Sequence, residues 1–335
     1  MGSGTLRRRG GAEGIILKGK KNKKADKKPL LAYGDVAFAN EARENLHVIN
    51  RMLSDNLADL SLCEREVQSK LHEIAFIRER TSAHSPDYTA RTVYRVFNNS
   101  DWEQGGRFNG AWWIGCPSPL RPYIHIDGKR TVEVDYSGLH AAMLFAEAGL
   151  QIPNDPYERC LSKAIDTPEG KAERKLVKLT FNALLNAKTV QHFGQVKGYS
   201  EDLTGREWDD FKKFIVSSFP EFKQHFGSGV GLRLQRKDSD LAERVMLKFA
   251  AMGYACLPVH DSFIVHHEMQ DVLTDTMKAV FKDMFGSVGE TDFDMGIGEA
   301  VSGIGEPIDV NMEDLLAPTG HAGRLQAYQL MREQA

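Results

Sequence analysis

The chain has 335 residues, 41% hydrophobic and 27% charged, with a formal net charge of −3, an ordinary composition for one large globular domain or two modest ones. No run approaches the ~18 apolar residues of a membrane span, and the N-terminal stretch lacks the apolar core and small-residue cleavage site of a signal peptide. Cys63, Cys116, Cys160 and Cys256 lie far apart with no C-x-x-C pair, which argues against a zinc ribbon or a disulfide framework and suits a reducing cytoplasm.

Residues 1–28 carry ten Lys or Arg against two acids, with six glycines and little apolar content. The expectation for 1–30 is a disordered basic arm. Such an arm either draws nucleic-acid phosphates by charge or is a solvated tail or added leader, as Met1-Gly2-Ser3-Gly4 suggests. From Asp35 to Arg80 the apolar steps are helical: Leu46, Ile49, Leu53, Leu57 and Leu60, then Val67, Leu71 and Ile74. Residues 31–100 are therefore expected to be mainly helical, with a loop at 81–90. The Gly-, Pro- and Trp-rich segment 101–128 is expected to be irregular or built of short strands. Thr131–Asp135 alternates as a strand does, Tyr136-Ser137-Gly138 turns it, and Leu139–Ala148 continues as a helix.

Helices follow at 171–187, with Leu176, Leu179 and Ala183 on one stripe, at 207–226, and from Leu241 to Met252, where Gly253 stops the turn. Tyr254–Val259 and Phe263–His266 bracket His260-Asp261-Ser262 as two strands. Residues 269–285 carry a helical core stripe of Met269, Val272, Leu273, Met277, Val280, Phe281 and Met284. A strand at 293–300 and one short helix within 305–335 complete the chain. No repeat of 20–50 residues is present. This order predicts an α+β fold in which a helical insertion interrupts a sheet domain.

Three segments carry candidate chemistry. Asp135 ends a strand, where an ionised carboxylate can hold Mg²⁺ by oxygen coordination. Asp261 sits at a hairpin tip, which projects its carboxylate rigidly, and carboxylates on neighbouring strands can hold two ions ~3.5–4 Å apart. A solvated turn with a satisfied His260 is the bland alternative, and zinc held by His260, His266 and His267 is disfavoured because adjacent histidines alternate faces on a strand. On the helix 171–187, Arg174, Lys178, Phe181 or Asn182, and Asn186 fall near one face. Two cations one turn apart can clamp a triphosphate, although an ordinary basic surface helix has the same pattern.

In this order the segments resemble motifs A, B and C of family A DNA polymerases and phage-type single-subunit RNA polymerases. Val134-Asp135-Tyr136-Ser137 is similar to the family A metal-binding strand, and Ser137-Gly138-Leu139-His140 is closer to the RNA polymerase version. The spacing from Arg174 through Lys178 to Asn186 matches motif B, and His260-Asp261-Ser262-Phe263 resembles the RNA polymerase motif C. Asp101-Trp102 with Gly106-Arg107 resembles the Gly-Arg segment that grips the template–primer backbone, and Gln235, five residues before Asp240, matches a glutamine near the primer end. The resemblance covers about 101–300.

The resemblance implies a right-hand polymerase fold with an antiparallel-sheet palm. A thumb-like helical region would occupy 31–100, palm 101–150, reduced helical fingers 151–230, palm again 231–310 and a tail 311–335. Asp135 and Asp261 would hold two Mg²⁺, for which Mn²⁺ could substitute, with the Tyr136 carbonyl as a further ligand. Arg174 and Lys178 would bind triphosphate, Lys178 doubling as the acid for departing pyrophosphate. His140, Asn182 and Asn186 would border the nucleotide, and Arg107, Gln235 and His260 would touch the primer–template.

The chain departs from the family where DNA enzymes place the Glu that fences off the ribose 2′-OH, which is His140 here. It departs again at the end of motif B, where Asn186-Ala187 replaces Tyr-Gly, and at motif C, where Ser262 replaces a Glu. The expected activity is template-directed primer extension from nucleoside triphosphates, with DNA favoured. The alternatives are RNA or primase-like synthesis, template-free tailing, or a polymerase-like module that binds nucleic acid without chemistry. Trp112-Trp113 is expected to be core plus rim rather than a base-stacking platform.

Overall fold

The computed structural model describes residues 13–21, 27–77, 85–191, 193–286, 301–302 and 320–334. The strands β1 (Ile15–Lys18) and β2 (Leu30–Leu31) precede α1 (Ala37–Ser54), β3 (Ala58–Leu60) and α2 (Glu64–Ile77). After β4 (Tyr94–Asn98) and β5 (Asp101–Asn109), two 3-10 turns lead into β6 (Ile124–Ile126), β7 (Lys129–Asp135) and α3 (Leu139–Glu147). A helical block follows: α4 (Pro168–Asn186), α5 (Glu201–Thr204), α6 (Trp208–Ser218) and α7 (Gly231–Ala251). The chain then returns through β8 (Leu257–Val259), β9 (Ser262–His266), α8 (Gln270–Phe285), β10 (Val301–Ser302) and α9 (His321–Glu333).

These strands form two sheets in a mixed α+β architecture. One has the order β2-β1-β4-β5, and β1 runs parallel to β4. The other has the order β3-β6-β7-β9-β8, with β10 also paired to β7. The β7–β9 ladder is antiparallel and sets Asp135 opposite Ser262. The long helix α7 joins the two halves. It packs most extensively on β5 and also touches α1, α3, α4 and α8. Its apolar stripe of Leu234, Leu241, Val245 and Phe249 is buried at three- and four-residue steps. Each such side chain contributes roughly 1.5–3 kcal/mol on leaving water.

A buried charge network fastens the first sheet to this helix. Arg95 on β4 is fully buried. It donates to Gly106 O (2.9 Å), Ser239 Oγ (2.8 Å), Asp240 Oδ1 (2.8 Å) and Glu243 Oε1 (2.9 Å). Burial pulls its pKa down while Glu243 pushes it up, and a guanidinium starts high enough to stay charged. At the far end of the second sheet, α9 is tied to β3. His321 Nδ1 lies 2.9 Å from Asp59 Oδ1, and Arg324 Nε donates to Asp59 Oδ2 at 2.9 Å.

Several expectations need correction. The arm at 1–30 is not disordered throughout: Ile15 and Leu17 are buried in β1, and Tyr33 OH and Glu13 hold that strand by hydrogen bonds to Ile15. Two apolar residues alternating on four positions were enough for a strand once β4 supplied the partner. The residues before 13 lie outside the described set. The stretch 31–100 is not purely helical, because β3 interrupts α1 and α2 and β4 pairs with β5 across the expected boundary at 100. The segment 101–128 contains the nine-residue strand β5, whose glycines Gly105 and Gly106 make a bulge beside α7. On α4 the buried face runs through Leu176, Val177, Phe181 and Leu184, and Leu179 is 44% exposed. The helix expected over 207–226 stops at Ser218, since Pro220 breaks it into a 3-10 turn. The expected strand 293–300 lies outside the described residues. Trp112 and Trp113 are both buried, which puts them in the core rather than on a rim. Among the described residues no helix is long and apolar enough to cross a membrane.

Candidate active site

Strand β7 ends at Asp135, and the chain leaves it through a left-handed Gly138 (φ 69°) that starts α3. An added Cβ there would meet the Tyr157 ring at an ordinary contact distance of 3.4 Å, so the left-handed backbone is what favours glycine. His140 lies in the first turn of α3, with Nε2 3.1 Å from Asp238 Oδ2. The β8–β9 hairpin closes through His260 at φ 59°, the left-handed conformation that a two-residue hairpin needs at its tip. Backbone pairing continues past the ladder, because Tyr136 N–H donates to Asp261 O at 3.1 Å. Asp135 and Asp261 thus emerge side by side from adjacent strands.

The electrostatics follow from that placement. Burial raises the Asp135 pKa, the Asp261 charge raises it further and Glu133 adds to it, while Lys178 opposes them. Neither carboxylate is in a salt bridge with Arg or Lys among the described residues. Glu133 is satisfied elsewhere: Arg121 Nη1 donates to it at 2.6 Å and Ser262 Oγ at 2.6 Å. The His260 pKa is lowered by burial and by Arg107, so the ring is neutral at pH 7.

Two hard oxygen donors that repel one another are a donor set that a divalent cation fits. Among the described residues no three His, Cys, Asp or Glu side chains converge as a cage.

Beside the carboxylates lies a cleft of about 260 Å³ lined by Arg107, His140, Lys178, Asn182, Asn186, Gln235, His260 and Asp261. Residues from β5, α3, α4, α7 and the β8–β9 turn meet there, although they are spread over more than 150 positions of sequence. The helices α4 and α7 approach closely at Gly231, where a Cβ would fall 2.2 Å from Asn186 Oδ1. Asn186 itself donates to Asn182 O at 2.8 Å. Asp135 joins the group through its interaction with Asp261 and Lys178.

Three of the expected residues are absent from the cleft lining: Arg174, Tyr136 and Asp135, the last of which stands beside Asp261. Arg174 does not line it; its Nε and Nη2 are held by Asp155 at 2.6 and 3.2 Å, and its guanidinium lies 5.7 Å from the Tyr157 ring centroid. The Tyr136 side chain is fully buried, with its hydroxyl donating to Met277 O at 2.8 Å; the expectation concerned its backbone carbonyl, which that burial does not bear on.

Sequence reasoning also missed residues that the site depends on. Asp238 is buried and accepts from both Arg107 and His140 at one oxygen. Asp155 occupies Arg174, and Arg95 anchors the backbone next to Arg107. For Asp238 a signal existed: it lies one helical turn after Gln235, on the same face. Asp155 and Arg95 belong to no motif.

No protein-family model matches the chain, and no curated protein matches it. Among solved structures the chain is similar to the POL domain of Pol1 from M. smegmatis in complex with DNA primer-template and dNTP. That likeness has a TM-score of 0.34 and 15% identity, and it covers 58% of this chain and 45% of the other, less than half of its length. A TM-score that low does not establish a shared fold.

Proposed function

We propose that this chain is a template-directed nucleotidyltransferase that extends a nucleic-acid primer from nucleoside triphosphates, with DNA the favoured product. The observation that carries the reading is the meeting of Asp135 and Asp261, on adjacent strand ends, with Lys178 from a facing helix and Arg107, Gln235 and His260 around one cleft. The order of the three sequence motifs supports it independently.

In this reading Asp135 and Asp261 would hold Mg²⁺, and the bound ion would supply Lewis acidity for the attacking 3′-hydroxyl and positive charge for the leaving pyrophosphate. Lys178 supplies positive charge beside the carboxylates and donates a proton to the departing pyrophosphate. Arg107 and Gln235 bind the primer–template, and the neutral His260 packs against it without adding charge. His140, Asn182 and Asn186 border the sugar and base of the incoming nucleotide. Arg174 reaches a triphosphate once it leaves Asp155.

A second reading, nucleic-acid binding without chemistry, is favoured by that engagement of Arg174, since one of the two phosphate-binding cations is occupied.

The test is primer extension on a defined template with Mg²⁺, using dNTPs and NTPs separately, beside Asp135→Ala, Asp261→Ala and a chelator control. Template-directed products that vanish in both variants and with chelator are expected. A wild-type protein that binds the primed duplex but adds nothing with either nucleotide set transfers the case to the second reading.

A further inference from the structure

We infer that Asp238 is a positioning residue that holds Arg107 in the orientation that grips the primer–template, an inference that rests on the nucleic-acid-binding part of the reading above. Asp238 has only 2% of its side chain exposed, on the buried side of α7. Its Oδ2 accepts from Arg107 Nη2 at 2.6 Å and Nε at 3.1 Å, and lies 3.1 Å from His140 Nε2. Its Oδ1 is buried with no hydrogen-bond partner among the described residues.

That arrangement is costly. A buried carboxylate with an orphaned oxygen destabilises a fold unless something offsets it, and a packed apolar residue would suit the α7 stripe better. What Asp238 achieves is geometric. It takes the Nε–Nη2 edge of the guanidinium and so fixes the plane of a side chain that remains 31% exposed to the cleft. The Arg107 Nη1 group has no protein partner among the described residues and is left for a phosphate. A carboxylate can only accept, so it also fixes the proton of His140 on Nε2, the same second-sphere device that orients histidines elsewhere. The Arg107 backbone is held from the other side, because Arg95 Nε donates to the carbonyl of the adjacent Gly106 at 2.9 Å.

The inference has a sign that separates it from plain electrostatics. Removing a negative charge from a nucleic-acid cleft should tighten the binding of a polyanion. Loss of a positioning residue should weaken it.

The experiment measures binding of a fluorescent primed DNA hairpin by anisotropy at fixed salt, for wild type, Asp238→Asn, Arg107→Ala, the double variant and Arg107→Lys. Asp238→Asn is expected to weaken binding about tenfold. The double variant should bind no worse than Arg107→Ala. In extension assays Asp238→Asn should raise the KM for duplex with kcat nearly unchanged.

Equal or tighter binding by Asp238→Asn overturns the inference. If that variant is unfolded at the assay temperature, Arg107→Lys decides, since it keeps the charge and loses the fork that Asp238 holds. Wild-type-like binding by Arg107→Lys overturns the inference, and weakening close to that of Arg107→Ala upholds it. Duplex binding that is sensitive to Asp238 in a protein that extends no primer upholds the inference and overturns the enzymatic reading. Primer extension with binding indifferent to Asp238 does the reverse, and a wild type that neither binds nor extends overturns both.

Discussion

Replacing Arg95 with Met removes the cation at the centre of the network that joins β4 and β5 to α7. The guanidinium has four acceptors, and their fates differ. Asp240 keeps Arg236 as a partner. Glu243, 12% exposed, loses its salt-bridge partner, and Gly106 O and Ser239 Oγ lose a donor. Breaking a buried pair from one side costs about 3–5 kcal/mol, because it strands a charge. The surviving Asp240–Arg236 contact puts Arg95→Met near the lower end, at about 3 kcal/mol.

With an m-value of about 3 kcal/mol/M, that loss lowers the urea midpoint by about 1 M. The double variant Arg95→Met/Glu243→Leu removes the stranded charge as well. It should recover all but about 1 kcal/mol, the residue being the unpaired Gly106 carbonyl. Equilibrium urea unfolding of the two single variants, the double variant and wild type gives the coupling energy directly. An Arg95→Met variant within 1 kcal/mol of wild type, or one whose deficit Glu243→Leu leaves unchanged, would refute the assignment of this network as the fastening between the sheet and α7.

Three further outcomes are expected. The Asp135 pKa is raised in the folded state, chiefly by burial and then by Asp261, so the native protein holds that proton more tightly than the unfolded chain, and stability falls as pH rises from the ordinary carboxylate value through the raised one. In metal-free buffer at neutral pH, Asp135→Asn should therefore be more stable than wild type by about 1 kcal/mol, the gain should disappear in acid, and primer extension should be lost; a thermal-unfolding series across pH tests the sign. Asp155→Ala frees the Arg174 fork that a carboxylate now fills, and a fluorescent nucleoside triphosphate should bind about threefold more tightly; weaker binding in titration would mean that Asp155 orients Arg174 rather than competing for it. Gly106→Ala places a methyl 2.7 Å from Ser239 Oγ and 2.9 Å from the Phe97 ring at a φ of 85°, so a loss of about 2–4 kcal/mol in urea unfolding is expected, and a near-neutral result would show that β5 can shift away from α7.

What the sequence made legible was local. The strand ending at Asp135, the hairpin around Asp261 and the helix bearing Lys178, Asn182 and Asn186 each have a period or a turn signal of their own, and all three elements form where expected. The parallel strand β1 was hidden because its partner lies some 80 residues away and its basic neighbours dominate the composition. The position of Arg174 was hidden for a similar reason. Helical spacing puts it one turn from Lys178, but only the packed loop bearing Asp155 decides where its guanidinium turns. For Asp238 the helical spacing from Gln235 gives its face, but its burial against Arg107 and His140 is set by β5 and α3, which are distant in sequence.

The order β2-β1-β4-β5 has a practical consequence for anyone wishing to trim the basic segment. The strand β1 sits inside the sheet, so cutting past Gly14 would bare the flank of β4, a row of unpaired amides and carbonyls that invites pairing between molecules. Arg95 N–H would lose Gly14 O at the same stroke. Glu13 also belongs to the fold, because it bridges Arg43 on α1 to the Ile15 amide. A shortened protein that keeps this sheet intact must retain Glu13 onward, and one that begins a few residues later should come out of the cell as self-adhering aggregates.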